Sequence, residues 1–247
     1  MSPEEITPYD HRRGKTEQVR EMFDNIAPAY DRLNRMMSLG LDRGWRRRAV
    51  EMVAATEPRA IVDIATGTGD FAISLATAMR DARVTGLDLS EGMVGIGRRK
   101  VAQAGLAGRI TLEVGDCLDS PLPEGQADAV TVAFGVRNFA RLLDGYRSML
   151  RMLRPGGMLC VIELSTPTSP LVRPFYKLYT RGLIPLVGRI ISSDRRAYSY
   201  LPESIAAVPQ GEAMLQLMRD AGFADASYHC LTLGVCTIYT AVRPATS

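Results

Sequence analysis

The sequence predicts an α/β protein built on one mostly parallel sheet of seven strands, with helices on both faces and a final antiparallel strand. Apolar, β-branched runs alternate with segments of helical spacing, which is typical of βαβ units. The first run, 60–64, breaks into a turn with Gly67 and Gly69 before helical spacing resumes at Phe71. The last two runs meet at Gly234, which indicates a tight hairpin with an antiparallel return strand.

Length and composition fit a single domain over 1–247. The chain has 247 residues, and 46% of them are hydrophobic, which is enough for a sizeable core. The net charge of +3 is too small for a nucleic-acid-binding surface, so no nucleic-acid partner is expected. Residues 1–15 lack a secretory leader pattern, and no later stretch approaches the roughly 20 apolar residues that span a bilayer. Any membrane contact is expected from the surface.

Four cysteines lie in or beside apolar runs, without the CxxC spacing of metal and redox motifs: Cys117, Cys160, Cys230 and Cys236. They are expected to be reduced thiols in the core, without a metal site. This usage of cysteine predicts a cytoplasmic protein.

A helical cap is expected ahead of the first strand, over 16–57. Its first helix covers 16–23, and its second carries Trp45 and reaches Ala55 before Pro58 ends it. The second helix also holds a basic cluster: Arg43, Arg46, Arg47 and Arg48. These helices are an addition to the core that can cover the ligand end of the sheet. The alternative, favoured by the charges alone, is a packing helix with a solvated basic face.

Strand and helix patterns alternate through a core over 59–164. Strands are expected at 59–64, 83–87, 110–114, 127–133 and 158–164, and helices at 71–79, 91–103 and 142–153. The helix at 142–153 is followed by a sequence that terminates helices, Arg154-Pro155-Gly156-Gly157. The alternation ceases over 165–210. A final unit over 211–242 holds a helix at 212–221 and strands at 227–233 and 235–242.

The glycine turn after the first strand marks the expected ligand site, because parallel sheets bind ligands at the carboxyl ends of their strands. Asp88 ends the second strand 21 positions after Gly67, close to the spacing of about 20 at which an acid binds ribose hydroxyls. The alternative is that Asp88 and Ser90 only begin and cap the next helix. Both roles are compatible with the sequence.

Acidic residues flanking the turn bear on the kind of ligand. The carboxylates of Asp63 and Asp70 repel a pyrophosphate but suit a cationic ligand such as a sulfonium. The third glycine of the dinucleotide fingerprint is missing, although Ala72 at its position is tolerated. A dehydrogenase therefore stays an alternative, while the acidic turn favours a methyl donor, S-adenosylmethionine.

Dispersed motifs resemble one enzyme class and, within it, one family. Four motifs together resemble those of class I S-adenosylmethionine-dependent methyltransferases: 63–70, Asp88, 115–117 and 153–157. Five further motifs resemble those of the C-methyltransferases of menaquinone and ubiquinone biosynthesis: 30–38, Trp45, 134–138, 151–165 and 200–205. The match runs from about Lys15 to Val242. It implies a Rossmann-like class I methyltransferase fold with a donor-binding core over 59–164.

The resemblance also implies substrates and site residues. The co-substrate S-adenosylmethionine is expected to contact Asp63, Gly67, Thr68, Gly69, Asp88, Asp116 and Cys117, with Asp88 on ribose and Asp116 near adenine. The implied acceptor is a reduced prenylated quinone precursor, demethylmenaquinol, and no metal is expected. The alternative acceptors are 2-methoxy-6-polyprenyl-1,4-benzoquinol or another small molecule. Two positions depart from the family pattern: Ala133 replaces a frequent Ser, and Asp42 replaces a frequent His, which leaves the role of Asp42 open.

Methylation of a ring carbon calls for a cation beside the neighbouring hydroxyl. A phenol pKa of about 10 must fall to about 7 for ionisation at neutral pH, which is about 4 kcal/mol, whereas one charge-assisted hydrogen bond contributes roughly 1.5–3 kcal/mol. We hypothesise that Arg137 stabilises the phenolate, Asn138 orients the ring, and Tyr30 or a water removes the proton. The alternative for Arg137 is a surface ion pair. The intact Arg137 and Asn138 count against a catalytically silent methyltransferase-like protein.

The segment over 165–210 is expected to be a substrate lid. Between 173 and 196 it carries six basic residues against one acid, Asp194: Arg173, Lys177, Arg181, Arg189, Arg195 and Arg196. Apolar residues lie among them, from Phe175 to Ile191. This combination suits a lid over a prenyl chain, with basic residues toward anionic lipid headgroups at the inner face of the membrane. A packed subdomain or a homodimer contact is the alternative.

Overall fold

A seven-stranded sheet forms the centre of the computed structural model, which describes residues 3–10, 12–119, 122–183 and 195–245. Its strands are β1 (Ala60–Ile64), β2 (Arg83–Asp88), β3 (Ile110–Val114), β4 (Ala127–Ala133), β5 (Leu153–Leu164), β6 (Ala224–Leu231) and β7 (Cys236–Val242). The spatial order is β3-β2-β1-β4-β5-β7-β6, with β1 to β5 parallel and β7 antiparallel to both neighbours. The expected mostly parallel sheet with an antiparallel return strand is confirmed.

Helices pack on both faces of the sheet, as expected. Those in the described ranges are α1 (Lys15–Ile26), α2 (Tyr30–Met37), α3 (Asp42–Ala54), α4 (Asp70–Ala78), α5 (Glu91–Gln103), α6 (Leu142–Met152), α7 (Arg173–Leu178), α8 (Arg195–Ala207) and α9 (Glu212–Asp220). One apolar core joins α3, α4 and α5 to the sheet, and another joins α6 and α9. Along β4, Ala129 belongs to the first core and Val130 to the second, because successive side chains point to opposite faces.

The first two helices, α1 and α2, lie at the carboxyl edge of the sheet, whereas α3 packs on one of its faces. A third apolar cluster joins Met22 of α1 and Leu33 of α2 to Met93 of α5 and Tyr200 of α8. Three helices stand where the sequence predicted two. The reason is a 3-10 turn at Ala27–Ala29 that contains a proline, which ends α1 and lets α2 begin.

Strand β5 starts at Leu153, earlier than the expected 158. Leu153 pairs with Ala127 and Met158 pairs with Ala129, so the residues between them bulge opposite one residue of β4. The helix-terminating sequence does end α6, but the chain enters the sheet at once. Gly156, with a φ of +75°, lies in this bulge, where the sequence predicted a turn.

The insertion contains α7, a π-helical turn at Tyr179–Leu183, and α8. Residues 184–194, which include Arg189, Asp194 and Ile191, lie outside the described residues, as do the side chains of Phe175, Lys177, Arg181 and Arg195. The described side chains of Arg173 and Arg196 are both exposed. Among the helices that the structure describes, none is both long and apolar enough to cross a membrane.

The cysteines are free thiols, and Cys117, Cys160 and Cys236 are buried. Cys230 is exposed, so the expectation of a core thiol is wrong there. The reason is that β6 is an edge strand whose residues face solvent for most of its length. Within the described ranges, no three His, Cys, Asp or Glu side chains stand close enough together to hold a metal ion.

Candidate active site

Two adjoining clefts open at the carboxyl edge of the sheet, where the strand order reverses between β1 and β4. The first cleft encloses about 710 Å³ and the second about 660 Å³, and both volumes include space that is open to solvent. The first is lined by six of the residues predicted from the sequence: Tyr30, Gly67, Asp88, Asp116, Cys117 and Asn138. Tyr30 and Phe134 line both clefts, so the two cavities meet at these side chains.

The glycine turn brings the backbone close to the first cleft. Ala65, Gly67 and Gly69 have φ values of +52°, +56° and +78°, in the left-handed region that disfavours side chains. Gly67 lines the cleft, whereas Gly69 lies behind it as the N-cap of α4. At the end of β4, a Cβ on Gly135 would lie 2.6 Å from that of Ala65, so glycine allows this close approach.

Asp88 lines the first cleft from the end of β2. Its carboxylate accepts hydrogen bonds from the N–H of Gly67 over 2.7 Å and the N–H of Ser90 over 2.9 Å. Ser90 caps α5 by accepting from the N–H of Met93 over 3.1 Å, so the capping interpretation holds for Ser90 and leaves Asp88 facing the cleft. Burial raises the pKa of Asp88 to about 6 in spite of these hydrogen bonds.

Asp63 and Asp70 do not line either cleft. The buried Asp63 carboxylate accepts hydrogen bonds from Thr66 over 2.6 Å and Thr131 over 2.7 Å, and burial raises its pKa to about 6. Asp70 forms an ion pair with Lys100 of α5. Protein groups therefore satisfy both carboxylates, and the direct contact with a cationic ligand that the acidic turn indicated stays a prediction.

Thr68 lies behind the turn and helps to fasten the N-terminal helices. Its hydroxyl donates to Asp31 of α2 over 2.6 Å, and Lys100 contacts the same carboxylate over 2.8 Å. Asp24 of α1 accepts from the hydroxyl of Ser90 over 2.5 Å. Asp24, Asp31 and Lys100 were not predicted from the sequence, because their partners lie 30 to 69 positions away.

Asp116 and Cys117 line the first cleft after β3. Asp116 holds its own loop by accepting from the N–H of Leu118 over 2.9 Å. Burial raises the pKa of Cys117 to about 12, so the thiol is neutral at physiological pH. A Cβ on the preceding Gly115 would lie 2.8 Å from Leu87, so glycine lets β2 and β3 end side by side.

The second cleft has aromatic and cationic side chains in its wall, among them Tyr30, Trp45, Arg46, Phe134, Arg137 and Tyr179. Phe134 has a left-handed φ of +60°, which is unusual for a bulky residue. Its ring meets Trp45 edge to face, with centroids 6.1 Å apart. Such backbone strain at the junction of two cavities is typical of functional sites.

Arg137 forms a buried ion pair at the second cleft. Its Nη1 lies 2.8 Å from Oε1 of Glu163, and its backbone N–H donates to Oε2 over 3.2 Å. The exposed side-chain fractions of 8% and 2% exclude a surface ion pair. Burial alone would lower the pKa of Arg137, but Glu163 raises it above its ordinary value, so the cation persists. Sequence reasoning missed Glu163, although an acid inside the apolar run 158–164 was a signal.

Asn138 and Tyr30 are held by residues from distant motifs. The side-chain oxygen of Asn138 accepts from the hydroxyl of Tyr200 over 3.1 Å. The Tyr30 ring meets Phe23 edge to face, with centroids 6.0 Å apart. Burial raises the pKa of Tyr30, so its hydroxyl is protonated at neutral pH and is a weak base.

Comparisons with known proteins agree on one family. The family described as the ubiE/COQ5 methyltransferase family matches residues 11–243. The demethylmenaquinone methyltransferase of Porphyromonas gingivalis is 47% identical over 244 residues, covering 98% of this chain and 100% of its own. That of Bacteroides fragilis is 45% identical over 240 residues, covering 97% and 98%. The ubiquinone/menaquinone biosynthesis C-methyltransferase UbiE of Geobacter sulfurreducens is 44% identical over 227 residues, covering 92% and 88%.

Solved structures share the fold at low sequence identity. The cyclase SpnF aligns with a TM-score of 0.70 and 17% identity, over 94% of this chain and 97% of its own. An S-adenosylmethionine-dependent methyltransferase of Thermotoga maritima aligns with a TM-score of 0.61 and 18% identity, over 90% and 99%. The chain therefore has the Rossmann-like methyltransferase fold and belongs to the ubiE/COQ5 methyltransferase family, whose members use S-adenosylmethionine.

Proposed function

We propose that this enzyme methylates a ring carbon of a reduced, prenylated quinone precursor, and that the acceptor is demethylmenaquinol. The observation that carries the proposal is the junction of the two clefts, where Asp88 faces one cavity and the buried cation of Arg137 lines the other. Relatives 45% and 47% identical are named demethylmenaquinone methyltransferases. A relative 44% identical is named for both quinones, which makes 2-methoxy-6-polyprenyl-1,4-benzoquinol the second candidate acceptor.

The first cleft suits S-adenosylmethionine, which supplies an electrophilic methyl group when it is bound. We assign Asp88 to the ribose hydroxyls, Asp116 and Cys117 to the side of the adenine, and Gly67 to the close approach of the backbone. The turn residues behind the cleft hold Gly67 in place. The proposal assigns no metal ion to either cleft.

The second cleft suits the acceptor ring. The Arg137 cation stabilises the ring oxygen as phenolate, which makes the neighbouring carbon nucleophilic. That carbon takes the methyl group, while the electron pair of the broken carbon–sulfur bond stays on sulfur. The methylated carbon then loses its proton, and the ring oxygen regains one. Because the hydroxyl lost a proton to form the phenolate, one proton leaves the substrate overall. Asn138, which lines the neighbouring first cleft, is assigned to orient the ring from the junction of the two cavities. A water beside the protonated Tyr30 carries the proton away.

The insertion over 165–210 fits a lid for the prenyl chain. Leu171 and Leu178 are 80% and 74% exposed, and Arg173 between them is exposed as well. Apolar and basic side chains together match the surface of an anionic bilayer, in which a prenylated substrate dissolves. We propose that the enzyme works in the cytoplasm, in peripheral contact with the inner face of the membrane. A homodimer contact through the same leucines is the competing proposal.

Incubation of the purified protein with methyl-labelled S-adenosylmethionine and each reduced precursor tests the function. We expect label in demethylmenaquinol. Label only in the benzoquinol would select the second candidate, and label in neither would overturn the proposal. Transfer is expected to be faster when the substrate is presented in anionic rather than neutral vesicles. If the rates from anionic and neutral vesicles are equal and light scattering shows a dimer, the homodimer contact is favoured over the membrane contact.

Changing Asp88 to asparagine is expected to weaken donor binding about tenfold or more at pH 8, because a charge-assisted hydrogen bond to ribose is lost. In the parent enzyme, the Asp88 carboxyl has a pKa of about 6 and loses its charge below that pH. Donor affinity measured by calorimetry is therefore expected to fall from pH 7 to pH 5 in the parent and not in Asp88→Asn. If the donor affinity of Asp88→Asn depended on pH as in the parent, the titrating group would be Asp63, and the proposed role of Asp88 would be contradicted.

A further inference from the structure

Unpartnered hydrogen-bond donors gather around the second cleft. Across the described residues, three buried side-chain atoms lack a partner: Nε of Arg46, Nε of Arg137 and the hydroxyl of Tyr179. All three residues line the second cleft. Buried polar groups are nearly always paired in folded proteins, so donors concentrated around one cavity indicate a ligand that carries oxygen atoms.

Arg46 is the unexpected member of this group. Its neighbours in the basic cluster are exposed, as the charges favoured: Arg43, Arg47 and Arg48. The Arg46 side chain is 11% exposed and lines the second cleft. It shares one face of α3 with Asp42, Ala49 and Val53, which are all buried. A single arginine of the cluster is thus directed inward by the helical period.

Two contacts fix Arg46 before any ligand binds, and a third fixes its partner Asp42. Its Nη1 lies 2.5 Å from Oδ2 of Asp42, and Asp42 also accepts a hydrogen bond from Ser38 over 2.7 Å. The guanidinium carbon is 5.5 Å from the centroid of the Phe134 ring, a cation–π distance. Burial works to raise the pKa of Asp42, but Ser38 and Arg46 outweigh it and lower the pKa. Asp42, whose role the sequence left open, therefore positions Arg46.

Arg46 and Arg137 both border the second cleft. Both guanidinium groups oppose the effect of burial on the pKa of Tyr30, which means that both lie within electrostatic range of its hydroxyl. Each uses Nη1 on a carboxylate and retains further N–H donors. Two guanidinium groups thus border one cavity, one from α3 and one from the turn after β4.

We propose that Arg46 binds the second oxygen of a 1,4-dihydroxy ring, while Arg137 holds the first oxygen, beside the carbon that is methylated. This inference rests on the proposed function and adds the substrate feature that it requires, two ring oxygens in para positions. A ring held at one oxygen can pivot, whereas a ring held at two oxygens presents one carbon to the methyl group. Arg46 is therefore a binding and orienting residue.

Two short-chain acceptors test this role: a prenylated 1,4-dihydroxynaphthalene, and its analogue without the hydroxyl next to the prenyl-bearing carbon. Calorimetry with S-adenosylhomocysteine present gives the dissociation constant of each for the parent, Arg46→Met and the exposed control Arg47→Met. We expect Arg46→Met to weaken binding of the dihydroxy ring about 10- to 100-fold, the effect of one charge-assisted hydrogen bond. Binding of the monohydroxy analogue, and both constants of Arg47→Met, are expected to change less than about threefold.

Equal losses for both acceptors, or no loss for the dihydroxy ring, would overturn the inference. If Arg46→Met does not fold, Asp42→Asn takes its place, because it keeps Arg46 but removes its ion pair. We then expect a smaller loss, confined to the dihydroxy ring, and an unchanged affinity would again overturn the inference. A parent enzyme that labels neither quinol would defeat the proposed function instead, so the two failures are distinct.

Discussion

Replacement of Arg137 by methionine is expected to lower kcat/KM for the reduced quinone about 100- to 1,000-fold, the range found when a donor to a developing oxyanion is removed. The cause is the loss of the cation in a site where the paired side chains are 8% and 2% exposed, so that water screens little of the charge. The dissociation constant of S-adenosylmethionine is expected to stay within about threefold, because Arg137 lines the second cleft and not the first. Single-turnover kinetics and calorimetry measure the two quantities.

The matched control is Arg141, whose side chain is 66% exposed and pairs with Asp144 at the surface. Arg141→Met removes a nearby cation and is expected to leave both quantities unchanged, because exposed ion pairs contribute little. Arg137→Lys keeps the charge without the planar fork and is expected to be intermediate. An Arg137→Met enzyme with the parental rate would remove Arg137 from the reaction.

Removal of Glu163 is expected to cause a large loss of stability. Glu163→Leu leaves the Arg137 cation buried without its partner, and breaking a buried pair in this way costs about 3–5 kcal/mol. For a chain of 247 residues this lowers the melting temperature by roughly 6–20 °C. Thermal unfolding followed by circular dichroism measures the change.

The double variant Arg137→Met with Glu163→Leu separates charge from packing. Replacement of a whole buried pair by apolar side chains is often neutral for stability, so we expect the double variant to regain most of the lost melting temperature. It is expected to remain inactive, because the cation is still missing. Losses that simply add in the double-mutant cycle would show that the ion pair is not the source of the instability.

Local patterns predicted most of the fold. Helix α5 and strands β3 and β4 have the bounds expected from the sequence, since an amphipathic or β-branched run carries its own period. The early start of β5 was missed, because a Pro-Gly-Gly sequence is typical of a turn and only pairing with β4 makes it a bulge. The exposure of Cys230 was missed because the strand order, rather than its apolar neighbours, puts β6 at an edge.

The residues of the candidate site likewise form two groups, those that a local pattern predicted and those that it did not. Gly67 and Asp88 were found from the spacing between a glycine turn and the next strand end, which is a property of one βαβ unit. Glu163 and Lys100 were not found, because the side chains that they contact lie 26 and 30 positions away. No local pattern pairs residues over such distances.

By itself, the sequence determined the α/β fold class, the position of the glycine turn, and the resemblance to S-adenosylmethionine-dependent C-methyltransferases. Only the tertiary structure decided which charged side chains border a cavity. The carboxylates of Asp63 and Asp70 are paired with other residues of the protein and line neither cleft. Arg46 lines the second cleft, whereas Arg47 is exposed. The physical reason is that period and spacing belong to contiguous residues, whereas burial and ion pairing depend on segments that meet only when the chain folds.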